Sequence, residues 1–394
     1  MIPPRPPSPP SNIANFPDAP IVFIHGFKGS TLWNCSAQQK AFVRWTDLLN
    51  LTKSFDISVD HQDSSKSTSE FQPTEPISDI FGSKFWSKFL GARCYGGLLE
   101  SLEREFGISE TFSGSHFDDN SNYSNSSLTS PPLSGSCDHS LPPPPPTSPT
   151  KKTHFTPPKP SSRLLYFVYD WRLPNHRTAL QFLNFLKTLA TPPIILAHSN
   201  GGLLAQWAIA SAAPQKIARG VVYAGCPFHG SESFLQDLNG GKKLLFNKSL
   251  LRREVMRTFA PVFCFLSDSG LKRMEADEGE FVNQARTFKS ERMNMDFAEH
   301  PPSVIIAGVG TKTDVSLLAD GNFKTSDGDR RFSRECVVLK DLLSNGGKVF
   351  EVQKTHDKLL DDTELVINLL AELNDAGKAD QIGVKKRRAS LSLV

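Results

Sequence analysis

Ser199 stands in the sequence AHSNGG at residues 197–202, between an apolar segment and a helical pattern. Residues 194–197 form a continuous apolar run typical of a buried strand, and residues 202–212 have the spacing of a helix. A tight turn between a strand and a helix pushes a serine hydroxyl out at the carboxyl edge of a sheet, beside the helix N-terminus. The pattern predicts that Ser199 is a nucleophile and that the preceding His198 is structural.

A serine nucleophile needs a histidine that accepts its proton and a carboxylate that orients the histidine. After a strand-to-helix serine turn, the usual order along the chain is serine, acid, histidine. His356 follows the apolar segment 348–352 and precedes the last helical pattern, so we predict that His356 is the base. His229 follows a strand-like segment and is predicted to lie in a pocket or at a lid hinge. His300, next to two prolines, is predicted to lie at the surface.

The acid is expected in the sequence SDGDR at residues 326–330, which lies before His356. Asp329 is the predicted acid and Asp327 is the alternative. The aspartate that does not serve is expected to form a turn by accepting hydrogen bonds from local backbone amides. Asp361 and Asp362 lie at the predicted start of the last helix and are predicted N-cap residues.

Two backbone N–H groups are needed to stabilise the oxyanion that forms when a serine attacks an ester. One usually comes from the residue after the nucleophile, which is Asn200. The other usually comes from a loop after an early strand. The sequence IHGFKGS at residues 24–30 is such a glycine-rich turn, and Phe27 is the predicted donor.

The elements that must position these residues alternate between strand-length apolar runs and helical patterns. This alternation predicts an α/β domain with a mainly parallel sheet and helices on both faces. The predicted strands are residues 21–24, 164–169, 194–197, 220–223, 303–307 and 348–352. The predicted helices are residues 95–106, 178–189, 202–212 and 363–373.

Composition divides the chain around one domain at residues 19–375. Residues 1–18 are rich in proline, and residues 376–394 form a basic tail; both are predicted to be disordered. Residues 109–162 contain 31 Ser, Thr or Pro among 54 residues, which predicts a disordered insertion. Residues 229–300 are predicted to form a helical cap over the site.

Within this cap, residues 242–259 carry six Lys or Arg and one Glu, with apolar residues at helical spacing. The pattern predicts a basic amphipathic helix that could dock on anionic lipid. The alternative is a solvated charged face over ordinary cap packing.

Overall composition excludes several classes of protein. With 44 Lys and Arg against 41 Asp and Glu, the net charge of +3 argues against a nucleic-acid-binding protein. The six cysteines are scattered without metal-site spacing, and the motifs imply neither a metal nor an organic cofactor. The first twelve residues hold six prolines and no apolar run. We therefore expect a reduced, cytoplasmic protein, with peripheral membrane association as a further expectation.

Several segments together resemble the lecithin:cholesterol acyltransferase-like family. They are HGFKGSTLW at residues 25–33, RWTDLL at 44–49, YDWR at 169–172, AHSNGG at 197–202, GCPFHGS at 225–231 and GD at 328–329. The resemblance implies an α/β-hydrolase fold and the formation of an acyl-serine from a glycerophospholipid. The acyl group then passes to a sterol, a diacylglycerol or water. It also implies that Trp33, Phe228 and His229 contribute to substrate binding.

The sequence departs from this family at two places. Arg330, Arg331 and Phe332 stand where the family's acid loop continues with glycine and a small or basic residue. His25 replaces the proline that usually precedes the glycine of the early loop. The first difference leaves the identity of the acid open. The acyl acceptor is left open because no signal peptide or membrane anchor is expected from the sequence.

The preferred hypothesis is a serine-dependent acyltransferase or phospholipase that acts on lipid esters. One alternative is a plain carboxylesterase or lipase with water as acceptor. Another is a non-catalytic scaffold whose proline-rich segments, such as PPRPP at residues 3–7, bind SH3- or WW-type domains. In the tail, the sequence KKRRASL at residues 385–391 predicts attraction to anionic lipid, which phosphorylation of Ser390 would weaken. The alternative is an inert basic tail or a nuclear-import signal.

Overall fold

The computed structural model describes residues 19–35, 39–42, 57–59, 71–77, 95–107, 109–117, 163–241 and 251–376. The strands in this part of the chain are β1 (Ile21–Ile24), β2 (Ser30–Asn34), β3 (Gln39–Phe42), β4 (Phe71–Pro76), β5 (Ser109–Ser113), β6 (Leu164–Val168), β7 (Ile194–His198), β8 (Gly220–Ala224), β9 (Ser303–Gly308), β10 (Thr311–Leu317), β11 (Phe323–Gly328) and β12 (Lys348–Val352). The α-helices are α1 (Gly96–Phe106), α2 (Asn175–Lys187), α3 (Asn200–Ala212), α4 (Phe234–Gly240), α5 (Arg253–Met256), α6 (Ala260–Phe263), α7 (Asp268–Met274), α8 (Gly279–Met293), α9 (Arg334–Val337), α10 (Lys340–Ser344) and α11 (363–376).

In the described ranges, a seven-stranded parallel sheet forms the centre of the molecule, in the order β12-β9-β8-β7-β1-β6-β5. Its strands are short and apolar, and β1, β6, β7 and β8 are buried along their whole length. Both faces of these strands are covered, which explains why their sequences do not alternate between apolar and polar residues.

Helices cover the two faces of the sheet. Ile21 and Phe23 of β1 pack in one apolar cluster with residues of α1 and α11, whereas Val22 and Ile24 pack in another with residues of α2 and α3. Successive side chains of a strand point to opposite faces, so one strand supplies both halves of the core. The predicted α/β-hydrolase fold is confirmed: helices flank a parallel sheet, and β7 runs through Ser199 directly into α3.

The helices α4 to α8 lie between β8 and β9, in the segment predicted to form a helical cap. The guanidinium of Arg292 in α8 donates to Gln206 Oε1 in α3 at 2.7 Å, and the amide of Gln206 donates to the Arg292 carbonyl at 3.2 Å. This reciprocal pair fixes the cap to the helix that follows Ser199.

The prediction of one amphipathic helix over residues 242–259 is wrong in the described part, 251–259. In this part the only helix is α5, at Arg253–Met256. Leu251, Val255 and Phe259 are buried, as the alternative of ordinary packing predicts. α5 ends at Met256, and α6 begins at Ala260 with Pro261 in its first turn; proline lacks the N–H that one helix running through this point would require. Residues 242–250 lie outside the described residues.

The prediction of a disordered insertion is wrong at residues 109–117, which are ordered. Residues 109–113 form β5, which pairs with β6 in parallel, and a 3₁₀ turn follows. Phe112 and Phe117 are buried against Phe185 of α2, with ring centroids 5.2 and 5.5 Å apart. Two apolar anchors therefore order a segment whose composition is otherwise polar. Residues 118–162 lie outside the described residues.

Two small antiparallel sheets accompany the central sheet. One contains β3, β2 and β4, and the other is the hairpin of β10 and β11. The hairpin leads directly into the loop that carries Asp329, so it determines where the carboxylate of Asp329 lies. Of the helices the structure describes, none has the length and apolar character needed to cross a membrane.

Candidate active site

Ser199 lies at the apex of a sharp turn between β7 and α3. Its backbone has φ 54° and ψ −121°, a strained conformation for a residue with a side chain. The turn is tightly enclosed: a Cβ on Gly201 would lie 2.6 Å from the carbonyl oxygens of Ile24 and His25, and one on Gly202 would lie 2.0 Å from Cys226 Sγ. Glycine is therefore required at both positions after the turn.

His356 and Asp329 extend from Ser199 as a hydrogen-bonded series. His356 Nε2 lies 2.9 Å from Ser199 Oγ, and His356 Nδ1 lies 2.7 Å from Asp329 Oδ2. Asp329 is fully buried, and its Oδ1 accepts hydrogen bonds from the backbone N–H groups of Arg331 and Phe332 at 2.8 and 2.7 Å. The backbone of its own loop thus fixes the carboxylate that faces His356.

The contacts of His356 define the direction of its hydrogen bonds. An ionised carboxylate only accepts, so His356 Nδ1 carries the hydrogen that is donated to Asp329. In the neutral ring, Nε2 is then free to accept the proton of the Ser199 hydroxyl. The arrangement can therefore remove a proton from the Ser199 hydroxyl.

The structure brings Asp329, and not Asp327, to His356. Asp327 is exposed, and its Oδ1 accepts a hydrogen bond from Gly310 N–H at 2.7 Å, across the β10–β11 hairpin. Arg330, which stands where the family that the sequence resembles has glycine, has a left-handed backbone with φ 79°. Its N–H donates to Thr313 Oγ1 at 2.9 Å. The loop therefore keeps the turn conformation that glycine favours, without the glycine.

The two predicted oxyanion donors lie on either side of Ser199. Asn200 is the first residue of α3, where backbone N–H groups have no partner within the helix. Phe27 lies in the loop after β1, and this loop abuts the turn: a Cβ on Gly26 would lie 2.8 Å from Ser199 Cβ.

The YDWR segment at residues 169–172 holds the early loop in place through three hydrogen bonds. Tyr169 donates its hydroxyl hydrogen to the His25 carbonyl at 2.9 Å, and Trp171 Nε1 donates to the Ser30 carbonyl at 3.1 Å. Ser30 Oγ donates in return to the Tyr169 carbonyl at 2.8 Å. The motif thus holds both ends of the 25–30 loop against β6.

Within the same segment, Arg172 and Asp170 form a buried ion pair. Arg172 Nε donates to Asp170 Oδ1 at 2.9 Å, and Arg172 Nη2 donates to Asp170 Oδ2 at 2.6 Å. Arg172 also donates from Nη1 to the Ile57 carbonyl, and its guanidinium lies 4.3 Å from the centroid of the Phe71 ring. A buried pair of this kind needs such additional partners, because the desolvation of both charges is costly.

Aromatic residues surround the early loop. The ring of Phe27 makes edge contacts with Trp171, Phe259 and Phe265, at centroid distances of 5.3, 6.2 and 5.5 Å. Lys28 is buried next to it in a left-handed conformation with φ 62°, and burial lowers its pKa to about 7. The surroundings of the proposed oxyanion donor are therefore predominantly apolar.

The predicted substrate-binding residues lie in three different settings. Trp33 is half-buried on β2. His229 lines a cleft of about 730 Å³, where its Nε2 lies 3.3 Å from the Val338 carbonyl and burial lowers its pKa. Phe228 is fully buried and packs edge-on against Tyr223 at 5.2 Å. The structure therefore places Phe228 in the core instead of at a substrate pocket.

His300, predicted to lie at the surface, is half-buried, because its imidazole stacks on Phe297 with ring centroids 6.2 Å apart. His300 Nε2 lies 3.0 Å from the Tyr223 hydroxyl, and burial lowers the pKa of His300 to about 4.

Asp362 is an N-cap as predicted: its Oδ1 accepts a hydrogen bond from the N–H of Leu365 at 3.1 Å, at the start of α11. Among the described residues, no group of three or more His, Cys, Asp or Glu could hold a metal ion.

The sequence analysis missed two residues of the site. They are Tyr95, which contacts Gly26 and His198, and the buried Lys28. The partners of Tyr95 lie 69 and 103 residues away, so no local pattern indicated this residue. Lys28 lies in the motif at residues 25–33, but a lysine in a polar turn gives no sign that its side chain is buried.

Neither a family model nor a curated protein matches the chain. Among solved structures, the chain is similar to the crystal structure of the Tle4-Tli4 complex, with 11% identity, 92% of this chain and 98% of the other covered, and a TM-score of 0.49. It is also similar to the lipase BlEst2 of Bacillus licheniformis, with 12% identity, 53% and 78% coverage and a TM-score of 0.34. A third similarity is to the monoacylglycerol lipase of Paleococcus ferrophilus, with 12% identity, 51% and 77% coverage and a TM-score of 0.30. Similarity at these levels does not identify a reaction, so the chemistry has to be argued from the site.

Proposed function

We propose that the protein is a serine enzyme that acts on lipid esters through an acyl-serine intermediate. Ser199 is the nucleophile, His356 the general base and acid, and Asp329 the residue that orients His356. One observation carries the proposal: Ser199 Oγ, the two ring nitrogens of His356 and the Asp329 carboxylate form one hydrogen-bonded series at 2.9 and 2.7 Å.

In the first half-reaction, His356 Nε2 accepts the proton of the Ser199 hydroxyl while Oγ attacks the ester carbonyl carbon. The carbonyl oxygen becomes an oxyanion, which the N–H groups of Phe27 and Asn200 stabilise. The C–O bond to the alcohol then breaks. His356 Nε2–H gives the alcohol oxygen its proton, and the acyl group remains on Ser199.

In the second half-reaction, an acceptor hydroxyl replaces the alcohol. His356 Nε2 removes the acceptor's proton, the acceptor oxygen attacks the acyl carbon, and the proton returns to Ser199 Oγ as the acyl bond breaks. Water as acceptor gives a free fatty acid, whereas an alcohol gives a new ester. Asp329 stays ionised and stabilises the imidazolium that forms in each half-reaction.

A lipid ester is the proposed substrate class for two reasons. Phe27, in the loop that abuts the Ser199 turn, is half-buried, so its ring offers an apolar surface that suits an acyl chain. The motifs at residues 25–33 and 169–172 also resemble those of acyltransferases and phospholipases that use glycerophospholipids. The finer proposal is therefore an acyltransferase or phospholipase of that type.

Membrane association and proline-mediated partners stay predictions. The segments that would carry them, at residues 1–18, 242–250 and 377–394, lie outside the described residues. The same holds for the phosphorylation site at Ser390.

The test is to incubate the purified protein with vesicles of a defined phospholipid, with and without a sterol or diacylglycerol, and to analyse the products by mass spectrometry. We expect free fatty acid, an acylated acceptor, or both, and the ratio distinguishes hydrolysis from transfer. Ser199→Ala should abolish both products, whereas Ser211→Ala, at an exposed position of the same helix, should not. Product formation by Ser199→Ala at the wild-type rate would contradict the proposal.

A further inference from the structure

His198 does not belong to the hydrogen-bonded series of Ser199, yet it contacts the residue that does the acid–base chemistry. It is buried at the end of β7, and its ring centroid lies 4.9 Å from that of His356. Its Nε2 lies 3.0 Å from the carbonyl oxygen of His356, and its Nδ1 lies 2.8 Å from the hydroxyl of Tyr95.

The chemistry of the neighbouring groups gives these contacts a single direction. A carbonyl oxygen only accepts, so His198 Nε2 carries a hydrogen and donates it to His356. At the other end, Gly26 N–H can only donate, and it donates to Tyr95 Oη at 3.0 Å. In a neutral ring that carries its hydrogen on Nε2, Nδ1 has only a lone pair, so His198 Nδ1 accepts the hydrogen of the Tyr95 hydroxyl.

The contact with the His356 carbonyl requires hydrogen on Nε2, and a neutral His198 with hydrogen on Nε2 alone satisfies both ends. Burial favours the neutral ring as well, since it lowers the pKa of His198 to about 3.

The resulting chain runs from Gly26 through Tyr95 and His198 to His356. It connects the oxyanion loop, the residue before α1, the end of the nucleophile strand and the loop after β12. The backbone of His356 is consequently held on both sides: its N–H donates to the Asp329 carbonyl at 2.8 Å, and its own carbonyl accepts from His198.

We propose that His198 and Tyr95 are positioning residues that set His356 and the oxyanion loop at fixed places around Ser199. The role in turnover rests on the proposed function, whereas the directed hydrogen-bond chain does not. Neither residue touches the reacting atoms; they act through the backbone of His356 and of Gly26.

Two substitutions of His198 separate its two contacts. In His198→Gln, the amide nitrogen can occupy the place of Nε2 and keep a donor for the His356 carbonyl. In His198→Asn, the shorter side chain reaches only the place of Nδ1, so the donor to His356 is lost. Tyr95→Phe removes only the hydroxyl that joins Gly26 to His198.

The first readout is the rate at which a fluorophosphonate labels Ser199, with thermal stability measured alongside. We expect His198→Asn and Tyr95→Phe to be labelled about tenfold more slowly than wild type, which corresponds to one well-aligned hydrogen bond. His198→Gln should stay within about threefold of wild type. Equal rates for all variants, or equal losses in His198→Gln and His198→Asn, would overturn the positioning role.

The second readout does not depend on activity. In protein labelled with ¹⁵N-histidine, we expect His198 to show a protonated Nε2 and an unprotonated Nδ1, and we expect the His356 signals to shift in His198→Asn but not in His198→Gln. The opposite tautomer, or unmoved His356 signals, would overturn the proposal. If wild type were not labelled by the fluorophosphonate, the proposed function would fail, and these spectra would still decide the hydrogen-bond chain.

Discussion

Asp329 and His356 are joined by two hydrogen bonds, one between side chains and one between backbones. His356 Nδ1 donates to Asp329 Oδ2 at 2.7 Å, and His356 N–H donates to the Asp329 carbonyl at 2.8 Å. The loop after β11 and the loop after β12 are therefore held together independently of the carboxylate. A substitution of the carboxylate should change the chemistry of the site more than its architecture.

We expect Asp329→Asn to lower turnover by about 10⁴-fold, because an amide at this position favours the wrong tautomer of His356. Asp327→Asn should have little effect on turnover, since Asp327 contacts only the hairpin backbone at Gly310. Initial rates of acyl release, measured for both variants at equal protein concentration, test the difference. If Asp327→Asn were the more damaging variant, the assignment of Asp329 as the acid would be wrong.

Gly202 should tolerate no side chain, because the site of its missing Cβ is occupied by Cys226 Sγ. We expect Gly202→Ala to lower the free energy of unfolding by about 1–3 kcal/mol. Gly240→Ala is the matched control, because in the described ranges no heavy atom outside its own helix and its two chain neighbours lies within 4 Å of the Cβ it would add. In urea denaturation, adding Cys226→Ala to Gly202→Ala should cost less than the sum of the two single changes. Additive effects would mean that the two sites do not interact.

Arg330 has a backbone conformation that glycine adopts freely and a β-branched residue does not. Its side chain is exposed, so the effect of substitution should come mainly from the backbone. We expect Arg330→Val to be about 1–2 kcal/mol less stable than Arg330→Gly, with Arg330→Ala between them. Thermal unfolding of the three variants checks the order. A variant series without this order would show that φ at residue 330 carries no strain.

Buried histidines should make the protein less stable in acid. Burial lowers the pKa of His25 to about 4, of His198 to about 3 and of His300 to about 4, all from 6.5. Between these values and 6.5, the unfolded chain binds more protons than the folded protein, so stability falls as the pH falls. The loss is at most about 1.4 kcal/mol per pH unit for each histidine.

Urea midpoints measured between about pH 4 and pH 7 test this dependence. His300→Gln removes one of these histidines away from Ser199 and should reduce the slope. His116→Gln, at an exposed position, serves as the control and should not. Equal slopes for wild type and both variants would contradict the assignment of the acid sensitivity to buried histidines.

The central sheet could be predicted from the sequence because its strands are continuous apolar runs. The predicted bounds of β1 and β12 agree with the structure, and those of the other four predicted strands differ by one residue at their carboxyl ends. The apolar run before Ser199 and the small residues around it likewise predicted the strand, the turn and the helix. These patterns involve residues close together in sequence, so they can be recognised without knowledge of the fold.

The elements that were missed depend on partners far along the chain. β2 pairs with β4, about 40 residues later, and neither STLWN nor FQPTEP has a strong strand pattern. β5 is recognisable only from the packing of Phe112 and Phe117 against Phe185. Two neighbouring aspartates also satisfied the pattern for the acid, and only the geometry of the hairpin separates Asp329 from Asp327.

Treating the folded protein with a fluorophosphonate, and locating the adduct by peptide mass spectrometry, tests the pairing of Ser199 with His356 most directly. We expect one adduct, on Ser199, that is absent in Ser199→Ala and forms far more slowly in His356→Ala. An unlabelled wild-type protein, or labelling of Ser199 at the same rate without His356, would contradict the claim that these residues form a nucleophile and its base.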